Sequence, residues 1–165
     1  DRMGGLWTAF LGWFLVNAAG HGVRELALGR ALAGVLARDL MATDCPVVPA
    51  GLALERFVED HLLRTGRRCF VVVGPDGAVR GLLSAGDVRG IGRERRAALT
   101  VADAMRPLER LAVADPTTPA DRLLELMQAE DVNQVPVMEG SRVVGIVTRE
   151  HLLRLVATRL ELGER

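Results

Sequence analysis

The sequence has no lysine and no tyrosine, and its 21 basic residues, all arginine, are balanced by 21 acidic residues. The formal net charge is therefore zero. Proteins that bind nucleic acids usually carry a basic excess, because neutralising phosphates drives their affinity. We therefore expect no nucleic-acid partner. The arginine-only composition is typical of a GC-rich genome and indicates no function.

Motifs of catalytic and metal sites are also absent. The sequence has no His-Glu-x-x-His, no Gly-x-Ser-x-Gly and no phosphate-binding P-loop, and its three histidines are scattered. Cys45 and Cys69 fit no metal-binding spacing and lie in apolar stretches, which predicts free, buried thiols in a reducing compartment. We therefore expect neither catalysis nor a metal site in this chain.

The N-terminal segment, 1–35, is predicted to be apolar and helical. Residues 4–16 are uncharged and contain both tryptophans, but a bilayer span takes about 20 residues. Tryptophan and phenylalanine suit a membrane interface, so the segment is either membrane-proximal or covered by a partner. The chain has no secretory signal and begins without methionine, which indicates a part of a longer protein.

An internal repeat follows this segment. At a spacing of 64 positions four pairs of residues coincide: Met41 with Met105, Gly81 with Gly145, Ser84 with Thr148, and Asp87 with His151. The repeat divides the chain into unit one (36–98) and unit two (99–158), followed by a short tail (159–165).

Each unit has the same predicted order of elements. A methionine-centred turn leads to a short strand, an amphipathic helix, a buried strand, a tight turn, a second strand and a closing helix. Predicted strands occupy 47–49, 69–73 and 78–84 in unit one, and 111–113, 134–138 and 142–148 in unit two. The predicted long helices occupy 54–64 and 121–129.

This alternation predicts an α/β (α+β) fold, with small, mostly parallel three-stranded sheets flanked by helices. A unit of about 60 residues buries little surface alone, so we expect the two units to pack together about a pseudo-twofold axis. Equivalent loops would then surround a shared cleft, which is a usual place for a ligand.

The doubled pattern resembles the tandem cystathionine β-synthase (CBS) domain pair, or Bateman module, over residues 36 to 157. The resemblance rests on Asp-x-Met at the start of each unit, on Val135-Pro136-Val137, and on Gly-Leu-Leu-Ser-Ala-Gly-Asp at 81–87 with its counterpart Gly-Ile-Val-Thr-Arg-Glu-His at 145–151. It implies a regulatory module that binds an adenine nucleotide (AMP, ADP or ATP) and has no catalysis.

A narrower resemblance concerns Gly-Trp-Phe-Leu at 12–15 and Asp-Val-Asn-Gln-Val-Pro at 131–136. These segments are similar to the cytoplasmic tail of site-2-protease-type membrane zinc metalloproteases, which carry a CBS pair after their last membrane segment. The resemblance implies that the zinc and the active site lie upstream of this chain. It also implies that the module lies at the cytoplasmic face of a bacterial membrane.

The CBS resemblance assigns the ligand to the Gly-x-x-Ser/Thr-x-x-Asp motif. Ser84 would contact phosphate beside a helix N-terminus, and the Asp87 carboxylate would accept from the ribose hydroxyls. Helix capping is the alternative role of both residues. Thr148 matches Ser84, but His151 replaces the ribose-binding aspartate, so we expect one nucleotide, held mainly by unit one.

Further contacts follow from the family geometry. Arg67 and Arg68 precede the buried strand and suit phosphate, although a solvated arginine pair is the alternative. Asn133 and Gln134 hold the matching place in unit two. Adenine would lie against Val47, Phe70 and Val71, with Leu111 and Val135 as the second-site equivalents. The linker arginines are predicted to be solvated: Arg89, Arg93, Arg95 and Arg96.

Two hypotheses about function remain open. The first is a nucleotide-sensing regulatory module of a membrane protease, and the second is a dimerising scaffold with no small ligand. A different ligand, such as a methyl-donor cofactor or a metal, is a third. We expect a homodimer, because the apolar N-terminal run needs covering and CBS pairs commonly pair into discs.

Overall fold

The computed structural model describes residues 28–163. The predicted apolar segment therefore lies largely outside the described residues, and of it only 28–32 are seen as helix. None of the helices within the described range has the length and apolarity needed to cross a bilayer.

Unit one is built on a four-stranded sheet in the order β1-β2-β3-β4. The strands are β1 Val47–Pro49, β2 Cys69–Val73, β3 Val79–Ser84 and β4 Arg106–Pro107. The mixed α/β class is confirmed, but the pairing differs in detail from the predicted mostly parallel sheet. Only β1 and β2 are parallel, because a helical crossover joins them. The tight turn at 74–77 makes β2 and β3 an antiparallel hairpin, and β4 is also antiparallel.

Unit two has a two-stranded antiparallel sheet of β5 (Gln134–Glu139) and β6 (Arg142–Thr148). The third strand predicted at 111–113 is not formed. Instead a 3-10 turn, Leu108–Arg110, leads to a single parallel bridge between Ala114 and Val137. Ala114 donates to Pro136 and accepts from Met138. Pairing stops there because the next residue that would face β5 is Pro116, which has no N–H to donate.

Seven short to medium helices surround the sheets in residues 37–161: α1 Ala37–Leu40, α2 Leu54–Arg56, α3 Ala85–Arg89, α4 Arg93–Arg96, α5 Val101–Ala104, α6 Ala120–Ala129 and α7 Arg149–Glu161. The predicted helix 54–64 is α2 continued by a wider π-helical segment, Phe57–Leu63. There the ring of Phe57 packs edge-on against Phe70 with centroids 4.9 Å apart, and the two rings anchor the crossover on the sheet.

The two units exchange their opening segments. After α5, β4 pairs with Gly81 and Leu82 of unit one. At the equivalent place 64 positions earlier, Ala42 bridges to Ile146 of β6 in unit two. Ala42 donates to and accepts from Ile146 at 2.9 and 3.0 Å. The exchange is therefore reciprocal, as a pseudo-twofold relation requires.

Each hydrophobic core consequently contains a helix from the other repeat. Val101 of α5 is fully buried in the core of unit one, against β1, β2 and β3. The core of unit two takes in five residues from the start of the chain's described part: Ala31, Leu32, Val35, Ala37 and Leu40. The boundaries predicted at 35/36 and 98/99 therefore divide the sequence repeat. They do not divide the two hydrophobic cores, because each core includes residues from the other repeat.

A third, smaller cluster joins the two sheets. Val71 and Leu82 of unit one pack against Ile146 of unit two, and all three side chains are buried. Cys45 and Cys69 lie at the edge of this cluster. The predicted sheet-to-sheet packing therefore exists, and it leaves an open cleft at the cysteine end.

Glycine is required where the exchanged segments cross the sheets. A Cβ at Gly81 would overlap the carbonyl oxygen of Arg106 and lie 3.0 Å from its carbonyl carbon. At the equivalent Gly145, a Cβ would lie 2.6 Å from the Cγ and Sδ of Met41. The paired glycines of the sequence repeat thus mark the two crossing points.

Candidate ligand-binding cleft

A cleft of about 660 Å³ opens between the two units. Its size falls within the roughly 300–1,000 Å³ typical of small-molecule sites. One wall comes from the segment before β1, the start of β2 and the β3–α3 junction, and the other from the start of β5 and the β6–α7 junction. The sequence repeat therefore brings equivalent loops together, as predicted.

Six of the predicted ligand residues line this cleft: Arg67, Arg68, Ser84, Asn133, Gln134 and Thr148. The three predicted adenine contacts do not. Phe70 is fully buried and Val71 is 3% exposed in the sheet interface, whereas Val47 is 55% exposed to solvent outside the cleft. Their roles remain predictions without support from their placement.

Asp87 lies beside the cleft, in a smaller cavity of about 100 Å³. Its Oδ2 accepts from the backbone N–H and the hydroxyl of Ser84 at 2.8 and 2.6 Å, which caps α3. Its Oδ1 accepts from the Nε of Arg106 at 2.7 Å. Both carboxylate oxygens are therefore engaged, and the capping alternative describes the arrangement in this structure.

In unit two the hydroxyl position is similar but the next residue differs. Thr148 accepts from the backbone N–H of His151 at 3.2 Å and so caps α7. Arg149 follows, and its Nη2 donates to the carbonyls of Met127 and Val132 at 2.9 and 3.3 Å. Its Nε is buried with no partner in the described part of the chain.

The register of the two hairpins corrects one predicted equivalence. The carbonyl of Arg68 accepts from Ala85, and that of Asn133 accepts from Arg149, at 2.9 and 2.8 Å. Asn133 thus corresponds to Arg68, and Gln134 corresponds to Cys69 rather than to Arg68. The shift arises because the hairpin turn is one residue longer in unit one.

Arginines dominate the unit-one end of the cleft. Arg67 is paired with the carboxylate of Asp44 and also donates to its carbonyl at 3.1 Å. Arg106 is paired with Asp87. The ion pairs found within residues 28–163 leave Arg68 and Arg89 without a carboxylate partner. Such a wall suits an anion with several oxygens.

Three of these cations were not assigned to the cleft from the sequence. Arg89, predicted as solvated linker surface, is exposed but lines the cleft. Arg106 reaches it only because β4 joins the sheet of the other unit, and Arg149 because α7 begins at the cleft wall. Arg89 follows the Ser84–Asp87 motif by two residues, so its place beside the site could have been predicted from the sequence. Nothing in the local sequence around Arg106 indicates that it reaches the cleft.

Two free thiols complete the cleft floor. Cys45 and Cys69 are unpaired and half-buried, and Val47 and Val71 of the adjacent parallel strands set them at the same register. Burial, reinforced by the Asp87 carboxylate, raises the pKa of the Cys69 thiol to about 12. Burial and Asp44 also raise the pKa of Cys45. Both thiols are therefore neutral at physiological pH.

The raised thiol pKa predicts a loss of stability at alkaline pH. The unfolded thiol ionises near its ordinary value of 9.0, whereas the folded Cys69 stays protonated up to about 12. The free energy of unfolding is thus unaffected below about pH 9 and falls above it, by about 1.4 kcal/mol per pH unit. Because the sequence has no lysine or tyrosine, only thiols titrate in that window.

Urea unfolding between pH 9 and 11 would measure this slope. We expect Cys69→Ala to flatten it more than Cys45→Ala, the matched control in the less buried partner. An unchanged slope in Cys69→Ala would contradict the assignment.

Metal-ligating side chains do not gather anywhere in residues 28–163 in groups of three or more. The hydrogen-bond donors of the cleft are guanidinium groups, hydroxyls and amides, and its five arginines outnumber its three carboxylates, those of Asp44, Asp131 and Glu150. This donor set favours an anionic organic ligand over a cation.

Both repeats match the same protein family. The CBS domain model matches residues 37–93 and 101–158. Solved structures share the fold. A CBS-domain containing protein from Agrobacterium tumefaciens aligns with a TM-score of 0.64 at 23% identity, covering 74% of this chain and 96% of that one. The CBS domain of a membrane protein from Sphaerobacter thermophilus aligns at 0.61 and 22% identity, covering 83% and 97%.

Similar full-length proteins are named as proteases. A Mycobacterium tuberculosis protein with the name "Putative zinc metalloprotease Rip3" is 32% identical over 155 residues, covering 93% of this chain and 39% of that protein. "Putative zinc metalloprotease sll0528" of Synechocystis is 24% identical over 158 residues, covering 94% and 42%. The chain thus spans about two fifths of the length of these relatives.

The family match covers both repeats, and the fold likeness extends over 74% of this chain. This chain therefore belongs to the CBS domain family, as a tandem pair.

Proposed function

We propose that this chain is the regulatory module of a membrane-embedded zinc metalloprotease and that it binds an adenine nucleotide in the cleft between its two CBS units. Binding would alter the activity or assembly of the protease. The observation that carries the proposal is the cleft itself. Hydroxyls from both repeats, Ser84 and Thr148, and two arginines that have no carboxylate partner within residues 28–163, Arg68 and Arg89, line a space of nucleotide size.

The protease connection rests on the relatives. Two proteins named as zinc metalloproteases match almost the whole chain, which in turn matches only part of them. We place the zinc and the catalytic residues in the remainder of such a protein. The module would lie at the cytoplasmic face of the membrane and form a homodimer, as CBS pairs commonly do.

The cleft offers distinct roles to its residues. The guanidinium groups of Arg68 and Arg89 would bind phosphate oxygens, and the amide of Asn133 would contact the nucleoside from the opposite wall. A ribose hydroxyl that binds Oδ1 of Asp87 would share this oxygen with Arg106. Sharing would weaken the link between β4 and α3, and this is a route by which binding could change the relation of the units.

A ligand-free dimerising scaffold is the second candidate function. Two observations favour it: the Asp87 carboxylate is already satisfied within the chain, and histidine replaces aspartate at position 151 of unit two. In that case the cleft would be a by-product of sheet packing.

A thermal-melt screen with AMP, ADP, ATP and S-adenosylmethionine separates the two candidates. A nucleotide at about 100 times its dissociation constant adds about 2.7 kcal/mol, which corresponds to a rise of roughly 5–10 °C for a chain of this size. Asn133→Glu places a carboxylate in the cleft and should abolish the rise.

Gln128→Glu is the matched control, because it adds the same charge on an exposed part of α6 away from the cleft. It should retain the full rise. Asp87 is a poor target, because its removal would also uncap α3 and free Arg106. No rise with any of the nucleotides would leave the scaffold as the function.

A further inference from the structure

A second cavity adjoins the nucleotide cleft on the unit-one side. It measures about 410 Å³ and has an apolar floor that includes Val58, Leu62 and Val88. Its rim holds four arginines and no acidic residue: Arg67, Arg68, Arg89 and Arg96. We refer to it as the arginine groove.

The cleft and the arginine groove share one wall. Arg67, Arg68, Ala85 and Arg89 line both cavities. A ligand in the cleft can therefore continue over this ridge into the groove without leaving protein contact. Arg96 lies on the far side of the groove, where its Nε is fixed by a 2.9 Å bond to the carbonyl of Ile91.

The balance of positive and negative side chains changes from one end of this path to the other. At the unit-two end the cleft is lined by two carboxylates, Asp131 and Glu150, and one guanidinium group, that of Arg149. At the unit-one end four arginines accompany one carboxylate, that of Asp44. Of these arginines, Arg68 and Arg89 lack carboxylate partners within residues 28–163. Phosphate groups are repelled from the first end and attracted to the second.

We infer that the cleft is built for a polyphosphate chain, which leaves the nucleoside at the cleft and crosses the ridge of Arg68 and Arg89 into the arginine groove. The module then discriminates nucleoside triphosphates from monophosphates. A monophosphate reaches only the ridge, whereas the second and third phosphates of a triphosphate reach the groove, where no acidic side chain opposes them. This inference rests on the proposed nucleotide function and names its ligand class.

Isothermal titration with AMP, ATP and inorganic tripolyphosphate, without divalent cations, tests the inference on the whole chain. We expect ATP to bind about tenfold more tightly than AMP, the effect of two exposed ion pairs. In Arg96→Gln, which removes the groove arginine that does not also line the cleft, the ratio should fall to about threefold, since one of the two pairs is lost. Tripolyphosphate should bind the parent more tightly than this variant.

Arg95→Gln is the matched control, because Arg95 is exposed on the same linker and lines neither cavity. It should keep the parent's ratio, and melting curves without ligand show whether each variant is folded. Equal affinities for AMP and ATP would overturn the inference while leaving the proposed function intact. Tripolyphosphate binding without any nucleotide binding would overturn the proposed function and, with it, the discrimination between nucleotides, and would leave only a polyphosphate-binding groove. No binding of any probe would overturn both.

Discussion

Replacing Gly81 by alanine is expected to lower the free energy of unfolding by about 2–3 kcal/mol. The new methyl group would overlap the backbone of Arg106 and lie 3.2 Å from the Cα of Pro107. These atoms belong to β4, which cannot move away without giving up its pairing with β3. Urea unfolding followed by circular dichroism would measure the loss.

Gly145→Ala provides the comparison from the other unit. There the methyl group would lie 2.6–2.7 Å from the Cβ, Cγ and Sδ of Met41. A rotamer change moves the Cγ and Sδ but not the Cβ, so α1 must also shift slightly. We expect a loss that is smaller than at Gly81, where the clash is with a backbone carbonyl oxygen. Gly90→Ala is the control, because its φ of −75° suits any residue and nothing lies within 4 Å. It should be neutral or slightly stabilising. A loss at Gly81 no greater than at Gly90 would refute the close crossing.

A fragment of residues 44–110 is expected to fold, whereas one of residues 36–98 is not. The two are of nearly equal length, but only the first contains α5 and β4, which complete the core and sheet of unit one. The second instead carries α1, whose buried residues belong to the core of unit two. Domains of about 60 residues are marginal. The fragment 36–98 lacks the buried Val101, the strand β4 and three side chains packed against the core, Leu99, Ala104 and Met105.

Thermal unfolding of the two fragments would distinguish them. A cooperative transition is expected for 44–110, and a gradual, non-cooperative change is expected for 36–98. Equal behaviour would mean that the sequence repeat, and not the interleaved packing, defines the folding unit.

Local elements of this fold could be predicted because their signals are local. The strand 69–73 and the strand 142–148 were found with their observed bounds, since short apolar runs flanked by glycine turns identify them. The exchange could not be predicted. β4 is two residues long, and its partner lies in the other repeat, so no periodicity within the segment marks it.

The same distinction applies to the candidate site. The spacing of Ser84 and Asp87 predicted both a helix cap and a ligand contact. The structure shows the cap, because the backbone N–H of each residue donates to the side chain of the other. The partner of Asp87, Arg106, is brought in by the exchange, so sequence spacing gave no access to it. Phe70 was assigned to the ligand by family geometry, but it is buried between sheet and crossover, where apolar packing takes precedence.

The interleaved packing also sets the path along which force travels through the molecule. The chain enters the described structure at Leu28, yet residues 31–40 are clamped in the core of unit two, and Arg159 of α7 donates to the carbonyls of Ala31 and Ala33 at 3.0 and 3.3 Å. A pull or twist on the preceding segment is therefore delivered first to the distant repeat and not to the adjacent one. Mechanically, tension on the N-terminal segment would load unit two first and reach unit one afterwards, through the chain that follows Leu40 and through the contacts between the two sheets.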